Sequence, residues 1–305
     1  MEETKKPGNR ALLIIIPVAV LVIIAVIVGI VINKNKDYRI IKVFEVDGTA
    51  TVTREKVGDI EPYNNMLLES GDTVFLDTGT MSLKLDEDKY VYVEEQTKFR
   101  LEATGNSENS RTSIQLEQGA ITNEIQNKLS DDSSYEVNTP NSTMSVRGTI
   151  YRICVYEENG VHYTRVSVFE GTVATRLVYP DGTVSEKETL VDKGKEILIY
   201  EDGTTTDYVG TPSDIDYSTL PDSVIKCLIE IAKGGSDLGI SIEELEKYLQ
   251  GPFTVTFMYN GVVFGTQEVQ KDACAGVPVL MPEASGTWDF DFSQPITEDT
   301  EIQWK

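Results

Sequence analysis

Apolar residues recur along this chain with two periods, and one stretch has no period at all. From Ile41 to about Tyr208 apolar and polar positions alternate, as at Met81, Leu83 and Leu85, Val91 and Val93, Phe99 and Leu101, and Ile114 and Leu116. Successive side chains of a strand point to opposite faces, so the alternation predicts half-buried β-strands. Asp47-Gly48, Asn159-Gly160, Asp181-Gly182 and Asp202-Gly203 punctuate the runs. Each reads as a hairpin turn, because Gly accepts the positive φ that a type I′ turn demands. Gly105 to Arg111 is expected to form an exposed polar loop.

Between Ser213 and Gln250 the period lengthens. Val224, Ile225, Leu228, Ile229 and Ile231 follow Pro221-Asp222 at helical spacing, and Gly234-Gly235 ends the run. A second short helix starts at Ser241, where Ser241 and Glu244 form a capping box ahead of Leu245, Tyr248 and Leu249. These helices read as a spacer over 213–250. Gly251-Pro252 closes it and opens a small β domain, 252–305, with an Asn260-Gly261 turn and a closing strand at Glu301 to Trp304. About 50 residues is near the lower limit for independent folding.

The stretch without a period is Ala11 to Ile32, 22 consecutive apolar residues. As a helix it would span ~33 Å, matching a hydrocarbon core of ~30 Å. It exceeds the apolar region of a signal peptide, and the Ile-Val-Ile end followed by Asn33-Lys34 offers no small-residue cleavage site. The reading is an uncleaved transmembrane helix at 11–32 after a short tail, 1–10, with the lipid bilayer as its partner. Lys5, Lys6 and Arg10 precede it and Lys34, Lys36, Arg39 and Lys42 follow it, so the positive-inside count does not choose an orientation.

Charge narrows the function. The chain has 27 Lys and Arg against 50 Asp and Glu, a net −23. Beyond residue 39 the balance is 21 against 47, or −26. Such an excess opposes phosphate-backbone binding and makes nucleic acid an unlikely partner. One His and three separated cysteines, Cys154, Cys227 and Cys274, supply neither a recognisable zinc site nor an even-numbered disulfide framework.

Short stretches in the β region carry a family resemblance. They are Glu69-Ser-Gly-Asp72 with Asp77-Thr-Gly-Thr80, Ile114 to Ile121, Val137-Asn-Thr-Pro140, Met144-Ser-Val-Arg-Gly-Thr149 and Val168-Phe-Glu-Gly-Thr-Val173. Over about 43–178 the chain resembles the FecR-domain family. The resemblance implies an extracytoplasmic β-rich module held at the membrane by one span, with the N-terminus cytoplasmic and the following domains outside. The motif residues it singles out are Thr139, Pro140, Val146, Arg147, Gly148, Thr149, Glu170 and Gly171, read as structural. Well-known relatives also have a cytoplasmic N-terminal segment that binds a sigma factor. Here ten residues precede the span, too few to bury the ~800 Å² per partner of a specific interface. Residues 252–305 resemble a degenerate internalin-type B-repeat, through Phe253-Thr-Val-Thr-Phe257, Trp288-Asp-Phe-Asp-Phe292 and the terminal Pro295 to Lys305.

Candidate chemistry is sparse. Arg147-Gly148-Thr149 could present donors to an anion, but internal pairing of Arg147, for instance with Glu170, is the favoured reading. His162 has no nucleophile or oxyanion signature near it in sequence and reads as an exposed hairpin residue. Asp86-Glu-Asp88, Asp131-Asp132 and Asp289-x-Asp291 do not fit a calcium loop and read as charged strand ends. Cys154, between Ile153 and Val155, is expected to pack as a small apolar residue. No catalytic, cofactor-binding or metal-ligating residue is nominated. The expected architecture is mainly β: an anchor, a FecR-like sandwich or solenoid over 41–210, the helical spacer and the small β domain. The expected function is binding or scaffolding at the cell envelope without enzymatic activity, toward an envelope protein or cell-wall component. The alternative is a transmembrane signalling regulator.

Overall fold

A computed structural model describes residues 39–106, 108–146, 148–200, 208–278, 282 and 285–305. The expected membrane span and the Asp202-Gly203 turn lie outside the described residues, as does Arg147. Among the described residues no helix is long and apolar enough to cross a membrane.

Three long strands organise the β region. They are β1 (Ile41–Arg54), β4 (Thr73–Leu85) and β7 (Arg111–Ile125). Each serves two layers. The first half of β7 pairs with β6 (Thr97–Thr104) and, in parallel, with β8 (Ser134–Asn138). Its second half pairs with β5 (Lys89–Val93) and β10 (Ile150–Glu158). The later half of β1 and the early half of β4 extend the first layer through β6, joined at the hairpin edge by β2 (Gly58–Ile60). β9 (Ser142–Val146), β12 (Thr172–Val178) and β13 (Val184–Asp192) complete that layer beyond β8. In the second layer β3 (Leu67–Leu68), the start of β1, the end of β4, β5, β7 and β10 lie in order. They continue into β11 (Val161–Glu170) and β14 (Lys195–Tyr200), with β15 (Tyr208–Val209) and β16 (Ser213–Asp214) short partners of β14.

The inward positions of both layers form one core. Val52, Leu76, Phe99, Ile114, Val137 and Val173 come from the first layer, and Val43, Leu83, Val91, Ile121, Ile153 and Val166 from the second. The period-two alternation therefore resolves as a sandwich, each strand burying alternate residues. Asn159-Gly160 and Asp181-Gly182 make turns, with Asn159 at φ 53° and Gly182 at φ 81°. Asp47-Gly48 does not. It lies inside β1, where Gly48 is paired with Gly79 of β4. The pair that satisfies turn chemistry locally is used here at the bend that carries β1 from one layer to the other.

Helix α1 (Asp222–Lys233) runs from Pro221 to a Gly234 cap, and α2 (Ile242–Glu246) starts at the Ser241–Glu244 capping box. A three-stranded sheet follows, in the order β18 (Val262–Val269), β17 (Phe253–Tyr259), β19 (Thr300–Gln303), with β19 parallel to β17. Val224, Ile225, Leu228 and Ile229 of α1 pack in one core with Leu245, Phe253, Val255, Phe257, Trp288 and Ile302. Residues 213–250 and 252–305, which the sequence divides into a spacer and a small domain, share this second core. Ile150 and Phe169 of the sandwich also enter it.

Candidate functional site

The site is the outer face of the second layer, which α1 crosses. Cross-strand partners on one face form a row, and here it runs Glu45, Ser82, Tyr92, Thr122, Arg152, Ser167 and Glu196, one residue from each of seven strands. Sequence alternation puts these polar residues opposite the core, where solvent would be expected. Yet Ser82, Thr122, Arg152, Ser167 and Glu196 are buried.

Burial demands partners for the charged members. Arg152 donates from Nε to Glu94 Oε1 at 2.7 Å and from Nη2 to Glu94 Oε2 at 2.8 Å. Burial by itself would lower the Arg152 pKa, but the hydrogen bonds and charge of Glu94 outweigh it and the net shift is upward. Glu196 accepts from Arg165 Nη1 at 2.8 Å and from Ser167 Oγ at 3.1 Å. Tyr92 donates to Glu124 Oε2 at 2.9 Å. Burial first, then the Glu124 charge, pushes the Tyr92 phenol far above its ordinary value.

Between helix and sheet the packing is open. A cavity of about 820 Å³ is bordered by Glu94, Arg152, Cys154, Tyr156, His162 and Ser223. A second of about 410 Å³ lies against Phe44, Tyr90, Tyr92, Lys226, Cys227 and Glu230. A third, about 710 Å³, sits at the C-terminal end of α1 between Gly148, Thr149, Glu170, Glu124, Lys128 and Glu230. The helix turns its apolar side to the second core and lines the cavities with Ser223, Cys227 and Glu230, while Lys226 Nζ pairs with Asp299 Oδ2 at 2.7 Å. Burial raises the thiols of both Cys227 and Cys154, so neither is held as a thiolate nucleophile.

Cys154 differs from its sequence expectation. Ile153 and Val155 enter the core, so alternation sends Cys154 to the opposite face, where it borders the 820 Å³ cavity. His162 is exposed at the start of β11, 3.8 Å from Glu157. The three cysteines do not pair with one another, and among the described residues no group of three or more His, Cys, Asp or Glu could hold a metal ion.

The motif residues fall into two places. Thr139 Oγ1 lies 2.8 Å from Ser142 Oγ, and Thr164 Oγ1 donates to Asn141 Oδ1 at 2.6 Å. Asn141 Nδ2 donates to the carbonyls of His162 and Ile199. The turn between β8 and β9 is thus tied across the core to β11 and β14, while Pro140 is exposed. The second place joins two separate motifs. Gly171 has φ 80°, and a Cβ there would press on Thr149 Cγ2 and the Gly148 carbonyl. The segments Gly148-Thr149 and Glu170-Gly171 meet there, with Ile150 opposite Glu170 at a bulge. Val146 ends β9 and is buried. The expected Arg147–Glu170 pairing lies outside the described residues.

The model of the FecR protein family matches residues 73–174, and that stretch is a FecR domain. The match spans the sandwich from β4 into β12 and includes Thr139, Pro140, Val146, Arg147, Gly148, Thr149, Glu170 and Gly171, while Glu69 to Asp72 lie just before it. It ends well before 252–305, and the B-repeat resemblance of that segment gains no support from it. Comparison with curated proteins finds no match. Two solved structures, at 1.65 and 2.50 Å, of a candidate anti-sigma factor from Parabacteroides distasonis share 12% and 11% identity with the chain. The alignments cover 76% of this chain and 98% and 97% of those, each with a TM-score of 0.39, too low to carry an argument.

Proposed function

We propose that this FecR-domain protein is a non-catalytic binding or scaffolding module of the cell envelope. Residues 11–32 anchor it in the membrane, and its β domains lie on the extracytoplasmic side. The observation that supports binding is the seam beneath α1. Its polar groups are held in place by one another, through Arg152–Glu94 and Tyr92–Glu124, and they border open cavities. Prearranged donors and acceptors around open space suit recognition of a polar partner, an envelope protein segment or a cell-wall component.

A photoactivatable crosslinker at Ser223, in cells, tests it. Adducts formed from Ser223 and not from the exposed turn residue Val57 support the seam as the binding surface. Adducts from both positions alike, or from neither, count against it. Protease treatment of a C-terminally tagged copy tests location: loss of the tag on intact cells agrees with it, and protection until lysis overturns it. Cell-wall turnover by the purified protein, abolished by a carboxylate substitution in the seam, would overturn the non-catalytic reading.

A second reading, a transmembrane signalling regulator, is favoured by the FecR match at residues 73–174. Co-purification of the full chain with a sigma factor or with a polytopic membrane protein is its test.

A further inference from the structure

The β region is strongly acidic, but the corner where the chain enters it is not. Leu67, Lys42, Lys84 and Tyr90 are consecutive cross-strand partners on β3, β1, β4 and β5, so their side chains share the outer face. Lys84 Nζ lies 5.4 Å from the centre of the Tyr90 ring, and Phe44 meets that ring edge-on at 6.3 Å. Ile40, Phe44 and Leu67 are exposed, Leu67 by 58%. A patch of three apolar side chains, two ammonium groups and a tyrosine is the composition found where proteins meet the headgroup region. Apolar groups reach the acyl boundary, lysines reach phosphate, and an aromatic ring with a polar edge sits between.

Position singles this patch out from the other exposed apolar residues. Arg39, immediately before it, is held by Asp86, with Nη1 to Oδ2 at 2.7 Å, in a group that also contains the buried Lys89. The entry point is therefore fixed to the sandwich. Seven residue steps separate Ile32 from Arg39. Fully extended they reach about 25 Å, and any less extended path brings the sandwich closer.

We propose that this patch seats the sandwich on the bilayer that carries residues 11–32, so that the anchor sets the orientation of the domain as well as its location. The inference rests on the anchoring proposed above. With the patch seated, the hairpin of β10 and β11 leads away from the membrane, since Ile150 at its start lies in line with Tyr90 through Glu124. Glu158, exposed near the tip of that hairpin, then stands about 26 Å beyond Ile150, at 3.3 Å per residue along β10.

The test uses the full chain reconstituted in vesicles of phosphatidylcholine and phosphatidylglycerol with brominated acyl chains, which quench a tryptophan that touches them. Wild type, with Trp288 and Trp304 in the C-terminal region, sets the baseline. Leu67→Trp and Ile40→Trp report the patch and Glu158→Trp the far end, each checked for native circular dichroism. The added emission of the two patch variants is expected to fall by about half relative to unbrominated vesicles, and that of Glu158→Trp to stay unchanged. Lys42→Glu with Lys84→Glu is expected to reduce the quenching at Leu67→Trp. Equal quenching at the patch and at Glu158, or none at either, in protein that floats with the vesicles overturns the seating while leaving the anchor intact. Protein that fails to float removes the anchor and the seating with it.

Discussion

Gly48 of β1 and Gly79 of β4 lie directly opposite each other at positive φ, 118° and 90°. A Cβ on Gly48 would overlap the Thr78 carbonyl oxygen, and one on Gly79 the Asp47 carbonyl oxygen. The two backbones approach closely where both strands pass from one layer to the other, with a register shift one residue beyond at Thr49 and Ala50. Gly48→Ala and Gly79→Ala are each expected to destabilise the domain by about 2 kcal/mol or more, combining strain with overlap. Gly58, at φ 95° with nothing near its missing Cβ, is the control and should lose about 1 kcal/mol on substitution. Urea unfolding followed by circular dichroism separates the two cases, and equal losses would show that the close approach carries no weight.

The Arg152–Glu94 pair spans 58 residues of sequence, and both side chains are largely withdrawn from solvent. Arg152→Met leaves a carboxylate without its partner and should lose about 3 kcal/mol. A double variant with Glu94→Gln should lose distinctly less than the two single losses combined, because no charge is stranded. Additive losses in the double-mutant cycle would mean the pair contributes nothing as a pair.

Asn141 makes a sharper probe of the motif than Pro140 beside it. Asn141→Ala removes the donors to the His162 and Ile199 carbonyls and the acceptor for Thr164, all of them away from water, and should lose about 2–3 kcal/mol. Pro140→Ala, at an exposed position, should change stability by under about 0.5 kcal/mol. Thermal unfolding of the two variants reads the difference directly.

Alkaline stability follows from buried phenols. Burial raises Tyr92, Tyr135 and Tyr151 well above their ordinary value and pushes Tyr217 up to about 12. Each is protonated in the fold at a pH where the unfolded chain would release the proton. Their contribution is fully present below about pH 10 and is lost as pH rises through the folded pKa values. Absorbance at the phenolate band follows the ionisation of these buried phenols. These four should ionise late, Tyr217 around pH 12 and the rest together with loss of the β signal. A single transition of all tyrosines near their ordinary value would contradict the burial.

The sequence by itself determined what depends on neighbours a few residues apart. Alternation marks the strands, the 3.6-residue period of Val224 to Ile231 marks α1, Ser241 with Glu244 marks the start of α2, and the ordered FecR motifs mark the domain. Tertiary structure decided whatever depends on register between distant segments. Asp47-Gly48 has the local chemistry of a turn, yet pairing with Gly79 places it within a strand. Asp86 reads as a solvated strand end, yet its side chain is 2% exposed against Arg39, 47 residues away. The row from Glu45 to Glu196 alternates as an exposed face would, and the packing of α1 against Ser82, Tyr92 and Thr122 turns its middle into a polar seam bordered by cavities. Periodicity states that two faces exist. Which one meets water depends on a helix folded back from more than twenty residues beyond the last long strand of the sandwich, and no local pattern encodes that return.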